Sequence, residues 1–164
     1  MSIPSYHLPR RLTILLLLVP FIVLSMFSCR RGLSDEDLIR EMIDDAAHAA
    51  VEKDIKGITE HVSESYKDEY GNDRDSLKGL LFVYFRQYER INVYVRDAEI
   101  SVEGDRAEAT VKVVFTGGES LEDIGDMVPS SGGGYLLELK LQNEGGDWKV
   151  VRSRWTDIGF MEAL

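Results

Sequence analysis

The sequence predicts an α+β domain in which three helices precede, and pack on, a curved four-stranded antiparallel sheet. Apolar residues recur every three to four positions up to about residue 88, and from Ile91 onward they alternate with polar ones. Turn signals at Gly104-Asp105 and at Asn143 to Asp147 separate the later segments, which is typical of an antiparallel meander. Helices followed by a run of strands indicate the α+β class.

The first predicted helix begins at Ser34, which forms a capping box with Asp37 and is followed by acids in the first turn. Its inward side is apolar at helical spacing: Leu38, Met42, Ala46, Ala49 and Ala50. A short second helix is predicted to begin near Asp54 and to carry Ile55, Ile58 and Val62 inward. Residues 66–71 are predicted to be a connector.

The third predicted helix is capped by Asp73 or Asp75. Its apolar residues form a wide stripe: Leu77, Leu80, Leu81, Tyr84, Phe85 and Tyr88. Such a stripe is more often core than a cofactor site, so this helix is expected to cover the sheet.

The strands are predicted from the alternation of apolar and polar residues. The first runs from Ile91, and its phase slips at Arg96-Asp97, which predicts a bulge. Residues 107–115 form the second strand, and residues 116–134 are predicted to be a polar loop with a helical turn at 121–124. Strands from Tyr135 to Leu141 and from Trp148 to Trp155 complete the sheet.

The first 28 residues have the pattern of a secretory signal: Arg10-Arg11 precede an uncharged apolar run from Leu12 to Ser28. The segment from Leu24 to Cys29 resembles the lipobox of bacterial lipoproteins. By that resemblance Cys29 is lipidated, residues 29–33 are a tether, and residues 34–164 are the domain. Alternatives are an uncleaved signal anchor and a plain secreted chain.

The rest of the sequence is compatible with an exported domain held at a membrane. Cys29 is the only cysteine, so an exported domain has no internal disulfide and depends on its core. No aspartate follows Cys29, and by resemblance to Gram-negative lipoproteins this favours the periplasmic face of the outer membrane over the inner membrane. Without the leader the chain has 17 basic and 29 acidic residues, a net charge of −12. This charge argues against nucleic acid as a partner.

The element order resembles the nuclear transport factor 2-like superfamily, which includes ketosteroid isomerase and SnoaL-like polyketide cyclases. The resemblance is carried by residues 54–58, Tyr66-x-Asp68, the aromatic third helix, the bent hairpin and the closing strand from Trp148. It implies a cone-shaped, cystatin-like roll that encloses a pocket, and it implies a homodimer through the sheet face. It supports a fold better than a function.

Seven residues are candidates to line that pocket: Tyr66, Asp68, Tyr84, Tyr88, Arg152, Arg154 and Trp155. For the tyrosines the competing interpretation is core packing, and for Asp68 it is a turn. Arg152 and Arg154 share one sheet face. If that face is concave they bind an anionic ligand or pair with buried acids, and if it is outer they are solvated. A phase slip at Val150-Val151 would change this assignment.

No catalytic, metal or cofactor site is predicted. His48 lies among acids, His61 has no visible partner, and neither a nucleophile pattern nor zinc spacing is present. The acid-rich segments at 72–75 and 119–126 lack the spacing of a calcium loop. Two functions remain: a membrane-anchored module that binds a small apolar or anionic ligand or a protein without catalysis, and a small pocket enzyme of the isomerase, cyclase or dehydratase type.

Overall fold

The structure is a computed structural model that describes residues 32–118 and 132–164. The leader, Cys29, the helical turn predicted at 121–124 and the acid-rich segment 119–126 lie outside the described residues. Ser34–Leu164 form one compact unit. Along the described chain no helix is both long and apolar enough to cross a bilayer.

Within those ranges the chain forms four helices and five strands. In chain order they are α1 (Asp35–Val51), α2 (Ile55–Glu60), β1 (Val62–Asp68), α3 (Arg74–Gln87), β2 (Asn92–Glu103), β3 (Arg106–Thr116), β4 (Gly132–Glu144), β5 (Asp147–Asp157) and α4 (Phe160–Ala163).

The sheet has the order β1-β5-β4-β3-β2. Strands β2 to β5 are antiparallel neighbours, which confirms the predicted meander. Strand β1 is parallel to β5 and makes the sheet mixed, so the prediction of four strands and three helices was too low by one of each. Residues assigned to the second helix and connector form β1, since Val62, Ser63 and Tyr66 are buried at uneven spacing that hides a period of two. The short helix α4 was also missed.

Strand register determines which residues lie on each face of the sheet. The register of β2 shifts between Val95 and Asp97, which confirms the predicted bulge. Strand β4 begins at Gly132, opposite Thr116, where a loop had been predicted to continue to Gly134. The inner face carries Ala109, Val111 and Val113 of β3, and the outer face carries the alternate residues.

Helix α1 covers part of the inner face. The capping box is confirmed: the Ser34 Oγ accepts the Asp37 N–H at 3.2 Å, and the Asp37 carboxylate accepts the Ser34 N–H at 3.2 Å. Ile39, Met42 and Ile43 are buried and join the main core with the inner-face residues of the sheet. The core therefore forms between α1 and the sheet.

Helix α3 does not cover the sheet as predicted, because none of its residues is buried. Leu80, Val83 and Tyr84 are 45%, 53% and 56% exposed. The helix packs beside β1 and α2 at the sheet edge, while α1 occupies the inner face that α3 had been expected to fill. Leu77 of its apolar stripe packs against the main core, whereas Leu80 and Tyr84 are exposed, so the stripe is only partly covered.

Helix α4 packs on the outer face. Phe160 and Ala163 are buried against Val114, and Tyr94 and Ile158 lie around them. The rest of that face is charged, with ion pairs between Lys140 and Glu108 and between Arg154 and Glu138. The homodimer through the sheet face stays a prediction.

The N-terminus of α3 supplies a pH-dependent contribution to stability. The backbone N–H of Ser76, and then its hydroxyl, donate to Asp73 Oδ1 and lower the Asp73 pKa from 3.8 to about 2. Because the folded pKa is depressed, the stabilisation is complete above pH 3.8 and is lost as the pH falls toward 2. We expect carboxyl ¹³C NMR to show this midpoint. Asp73→Asn should keep the cap and remove this pH dependence of stability; a titration of Asp73 near 3.8 would contradict the assignment.

Candidate functional site

Five aromatic side chains lie near the end of the inner face where β3 ends and β4 begins. We call them the aromatic cluster: Tyr84, Tyr88, Phe115, Tyr135 and Trp155. The rings of Tyr88 and Phe115 meet edge to face, with centroids 5.4 Å apart and planes at 74°. Tyr135 and Trp155 meet in the same way, at 6.2 Å and 71°. Near-perpendicular rings form the walls of a corner rather than a flat stack.

The strands place three of these rings on the inner face. Phe115 continues the inward alternation of Val111 and Val113 on β3. Tyr135 pairs with Val113, and Trp155 pairs with Leu137, so both share that face. Trp155 is 55% exposed despite its inward position. This end of the inner face is therefore open.

Helix α3 contributes the two remaining rings. Tyr84 lies in the last turn of α3, and Tyr88 is the C-cap residue that follows it, with extended backbone angles of φ −115° and ψ 133°. The Lys53 ammonium donates to the backbone oxygens of Tyr88 at 2.5 Å and Glu89 at 2.9 Å. Lys53 itself has a left-handed φ of 57°. Through these two hydrogen bonds, Lys53 links the end of α1 to the end of α3 and holds the Tyr88 backbone in place.

Removing the two Lys53 hydrogen bonds should destabilise the end of α3 that carries Tyr88. We expect Lys53→Met to lower the free energy of unfolding by about 1–2 kcal/mol, since two carbonyl oxygens lose a charged donor. Urea unfolding measures the loss, and amide hydrogen exchange should rise at residues 84–89. Lys78→Met, which removes an exposed pair with Asp75, is the control and should change stability by less than about 0.5 kcal/mol. Equal effects of the two variants would contradict this role.

Gly133 makes room for the Tyr135 ring. A Cβ at position 133 would lie 2.9 Å from both Cε2 and the hydroxyl of Tyr135. The ring thus occupies the space that a side chain at 133 would fill, beside Phe115, which pairs with Gly133. The position of this ring depends on the glycine.

Asp157 gives the site its charge. It pairs with Tyr135 on the inner face, and its Oδ1 accepts the Gly159 N–H at 2.9 Å. Burial raises the pKa of Tyr135, and the charges of Asp157, Tyr84 and Tyr88 raise it further. These groups are therefore close enough to act on one another.

The floor behind the cluster is apolar. Val93, Leu137 and Leu139 are half-buried on the inner face. Deeper in, Tyr66 is 3% exposed, and its hydroxyl is 2.6 Å from the Ser153 Oγ. Burial raises the pKa of Tyr66, and the bond to Ser153 opposes this effect. The buried polar pair consists of two neutral hydroxyls.

The structure separates the seven candidate residues. Tyr84, Tyr88 and Trp155 come together in the aromatic cluster, and Tyr66 lies deeper on the same face. Asp68 holds a turn instead: its carboxylate accepts the Tyr70 N–H at 2.9 Å and the Asn72 N–H and side-chain amide, both at 2.7 Å. Burial alone would raise the pKa of Asp68, but the Asn72 bonds lower it.

Arg152 and Arg154 lie on the outer face. The register shifts opposite Lys140 and Leu141, at the position where a phase slip had been considered. After the shift Ser153 points inward, and Arg154 pairs with Glu69 at 3.4 Å and with Glu138 at 3.5 Å. The expectation that these arginines line a concave anionic site does not fit this register.

Other polar features lie outside the cluster. His61 ends α2, and burial is the main cause that lowers its pKa. Two open grooves of about 200 and 380 Å³ run between α1 and β2, lined partly by Asp44, His48 and Arg96. The larger groove also contains Val93, so it adjoins the floor of the cluster. In residues 32–118 and 132–164, no three His, Cys, Asp or Glu side chains group as a metal site.

Phe115, Tyr135 and Asp157 were missed as site residues. Phe115 and Tyr135 had been assigned as ordinary inward strand residues, and Asp157 lay beyond the predicted end of the last strand. The available signal was that Phe115 and Tyr135 are the inward aromatics at the two ends of one long loop.

Comparisons with known proteins establish the fold. A protein of Bdellovibrio bacteriovorus, Bd1075, matches with a TM-score of 0.62 and 15% identity over 75% of this chain, which spans 41% of that longer protein. An NTF2-like protein of unknown function from Pseudomonas putida matches with a TM-score of 0.61 and 17% identity, over 76% of this chain and 89% of that one. A candidate scytalone dehydratase from Novosphingobium aromaticivorans matches with a TM-score of 0.64 and 14% identity, over 75% of this chain and 83% of that one.

These similarities define the class of structure: the chain has the nuclear transport factor 2-like (NTF2-like) α+β fold. No protein-family model and no curated protein matches the sequence. Identities of 14–17% carry the fold and not the activity.

Proposed function

We propose that the protein is a lipid-anchored bacterial envelope protein whose NTF2-like domain binds a small ligand at the aromatic cluster without catalysing a reaction. The observation that carries the binding role is the open inner face: half-buried apolar side chains form its floor, and the exposed Trp155 and Tyr84 stand at its mouth. Aromatic and aliphatic walls with few polar groups are typical of ligand sites.

The non-catalytic part of the proposal is supported by the chemistry of the inner face. An acid–base enzyme needs a titratable base within hydrogen-bond reach of its reacting proton. Of the candidate groups, Tyr66 is bonded to Ser153 and Asp68 is committed to a turn, while Asp157, the carboxylate beside Tyr135, accepts the Gly159 N–H through Oδ1.

The anchor is supported by the sequence from Arg10 to Cys29. Mass spectrometry of the N-terminal peptide tests it directly. We expect a mature chain that begins at an acylated Cys29, and Cys29→Ser should abolish the modification. An unmodified Cys29 still joined to Ser28 would contradict the anchor.

Binding is tested with neutral probes. The full chain, purified in neutral maltoside micelles, is titrated with phenol and cyclohexanol by calorimetry against a micelle blank. We expect saturable binding to the wild type that Trp155→Ala weakens by about fivefold or more. The control is Phe82→Ala, which removes an exposed ring on the other side of α3 and should not change binding. No saturable binding, or equal loss in both variants, would contradict the site.

The alternative is a dehydratase-type pocket enzyme, favoured by the structural neighbour described as a candidate scytalone dehydratase. Tyr66 is then the acid. Loss of water from a β-hydroxyketone, followed by ultraviolet absorbance, would be abolished by Tyr66→Phe. Absence of turnover in the wild type supports the binding module.

A further inference from the structure

We propose that the aromatic cluster and Asp157 form a site for a small organic cation that carries an alkylated ammonium group. The inference rests on the proposed function, since it names the class of ligand for the same site. It replaces the anionic ligand, whose candidate partners Arg152 and Arg154 point to the outer face.

The shape of the cluster fits such a group. An alkylammonium is attracted to the faces of Trp, Tyr and Phe within about 6 Å of the ring centre, and several rings at angles form a cage around it. The two edge-to-face pairs place ring planes at 74° and 71°, so that faces in different orientations line one corner. A flat apolar ligand such as a fused ring system would instead favour parallel walls.

The charge at the corner also fits a cation. Asp157 is on the inner face beside Tyr135, and its Oδ1 is bonded to Gly159. Among the residues that the structure describes, no donor reaches Oδ2. The charged side chains of β4 and β5 at positions 138, 140, 152 and 154 alternate to the outer face. Asp157 is therefore the strand charge that faces the rings.

Two of the basic groups near α3 are engaged elsewhere. The Lys53 ammonium is held by the carbonyl oxygens of Tyr88 and Glu89. The Arg86 guanidinium lies over Phe82, 5.7 Å from the ring centre, and that ring is outside the cluster. The net charge of −12 after removal of the leader adds a long-range attraction for cations. The raised pKa of Tyr135 is in line with a negative local potential, although burial is its main cause.

A pair of isosteric probes tests the inference. Choline and 3,3-dimethyl-1-butanol have the same shape and differ in charge. Calorimetry on the full chain in maltoside micelles should show choline binding at least about tenfold more tightly than its neutral isostere. Asp157→Asn keeps the side-chain oxygen that accepts the Gly159 N–H. It should weaken the binding of choline by about tenfold and leave the affinity for the neutral isostere unchanged.

Two further variants and a control separate geometry from stability. Trp155→Leu keeps an apolar side chain and should weaken choline about three- to tenfold. Gly133→Ala pushes the Tyr135 ring aside and should weaken choline with little loss of stability, since the ring is the flexible end of its side chain. Phe82→Leu should leave choline binding unchanged.

The outcomes distinguish this inference from the proposed function. Equal affinity for choline and the isostere, or no effect of Asp157→Asn, overturns the cation while binding of phenol or cyclohexanol still supports a ligand module. Failure of all probes overturns both. Binding to phosphatidylcholine vesicles, but not to phosphatidylglycerol vesicles or to free choline, assigns the headgroup to a membrane and overturns a small cation.

Discussion

Gly134→Ala is expected to undock α4 and to lower the free energy of unfolding by about 3 kcal/mol, the upper end of overpacking penalties. A Cβ at position 134 would lie 2.2 Å from the Gly159 carbonyl oxygen and 2.4 Å from the Ala163 Cβ. The nearest atom belongs to the Gly159 backbone and not to a flexible side chain. Since the Ile158 N–H also donates to the Gly134 carbonyl oxygen at 2.9 Å, the segment before α4 cannot move away from β4 without losing this hydrogen bond. Urea unfolding measures the loss.

The matched control is Gly79→Ala in the interior of α3. A Cβ at position 79 meets no atom within 4 Å. Alanine should therefore stabilise the helix by about 0.5–1 kcal/mol through its better propensity. If both variants changed stability in the same direction and by similar amounts, the close contact of α4 with β4 would be contradicted.

Ile39→Ala is expected to cost about 2–5 kcal/mol, the range for a truncated core side chain that leaves a cavity. Ile39 is fully buried between α1 and the sheet. Ile39→Val should cost about 0.5–1.5 kcal/mol and provides a graded check. Leu80→Ala in α3 should cost less than about 1 kcal/mol, because Leu80 is 45% exposed. The opposite order of the Ile39 and Leu80 effects would restore α3 as the helix that builds the core.

The sequence predicted the meander well because each of its strands contacts a buried layer on one face. That geometry produces alternation, and even the bulge beside Arg96 was visible as a change of phase. It predicted α1 for a similar reason: the capping box and the apolar spacing are both local signals.

Two features of the fold, strand β1 and the packing of α3, could not be predicted from local sequence signals. Strand β1 is buried through its contacts with β5, whose paired residues, such as Val150 opposite Val62, lie far along the chain. Its uneven burial has neither a helical period nor a strand period. The stripe of α3 has the composition of a core but lies at the sheet edge, because α1 already fills the inner face. Periodicity shows that a face is apolar; it does not show what covers that face.

The candidate site was half predictable. Tyr84, Tyr88 and Trp155 stood out as aromatics in suitable elements, but their grouping with Phe115 and Tyr135 depends on strand register and on the two Lys53 hydrogen bonds. The face on which Arg152 lies, which the sequence left open, likewise depends on register, because a one-residue shift in β5 exchanges the faces.

The most direct test of the central claim uses the two tryptophans as internal probe and reference. Trp148 is buried, and its indole N–H donates to Asp35 at 3.1 Å, whereas Trp155 is 55% exposed in the aromatic cluster. In an indole ¹⁵N–¹H spectrum of the full chain titrated with choline and with phenol, ligand binding at the cluster predicts saturable movement of the Trp155 signal while Trp148 stays fixed. A Trp155 signal that does not move at saturating ligand, or a Trp148 signal that moves equally, would contradict it.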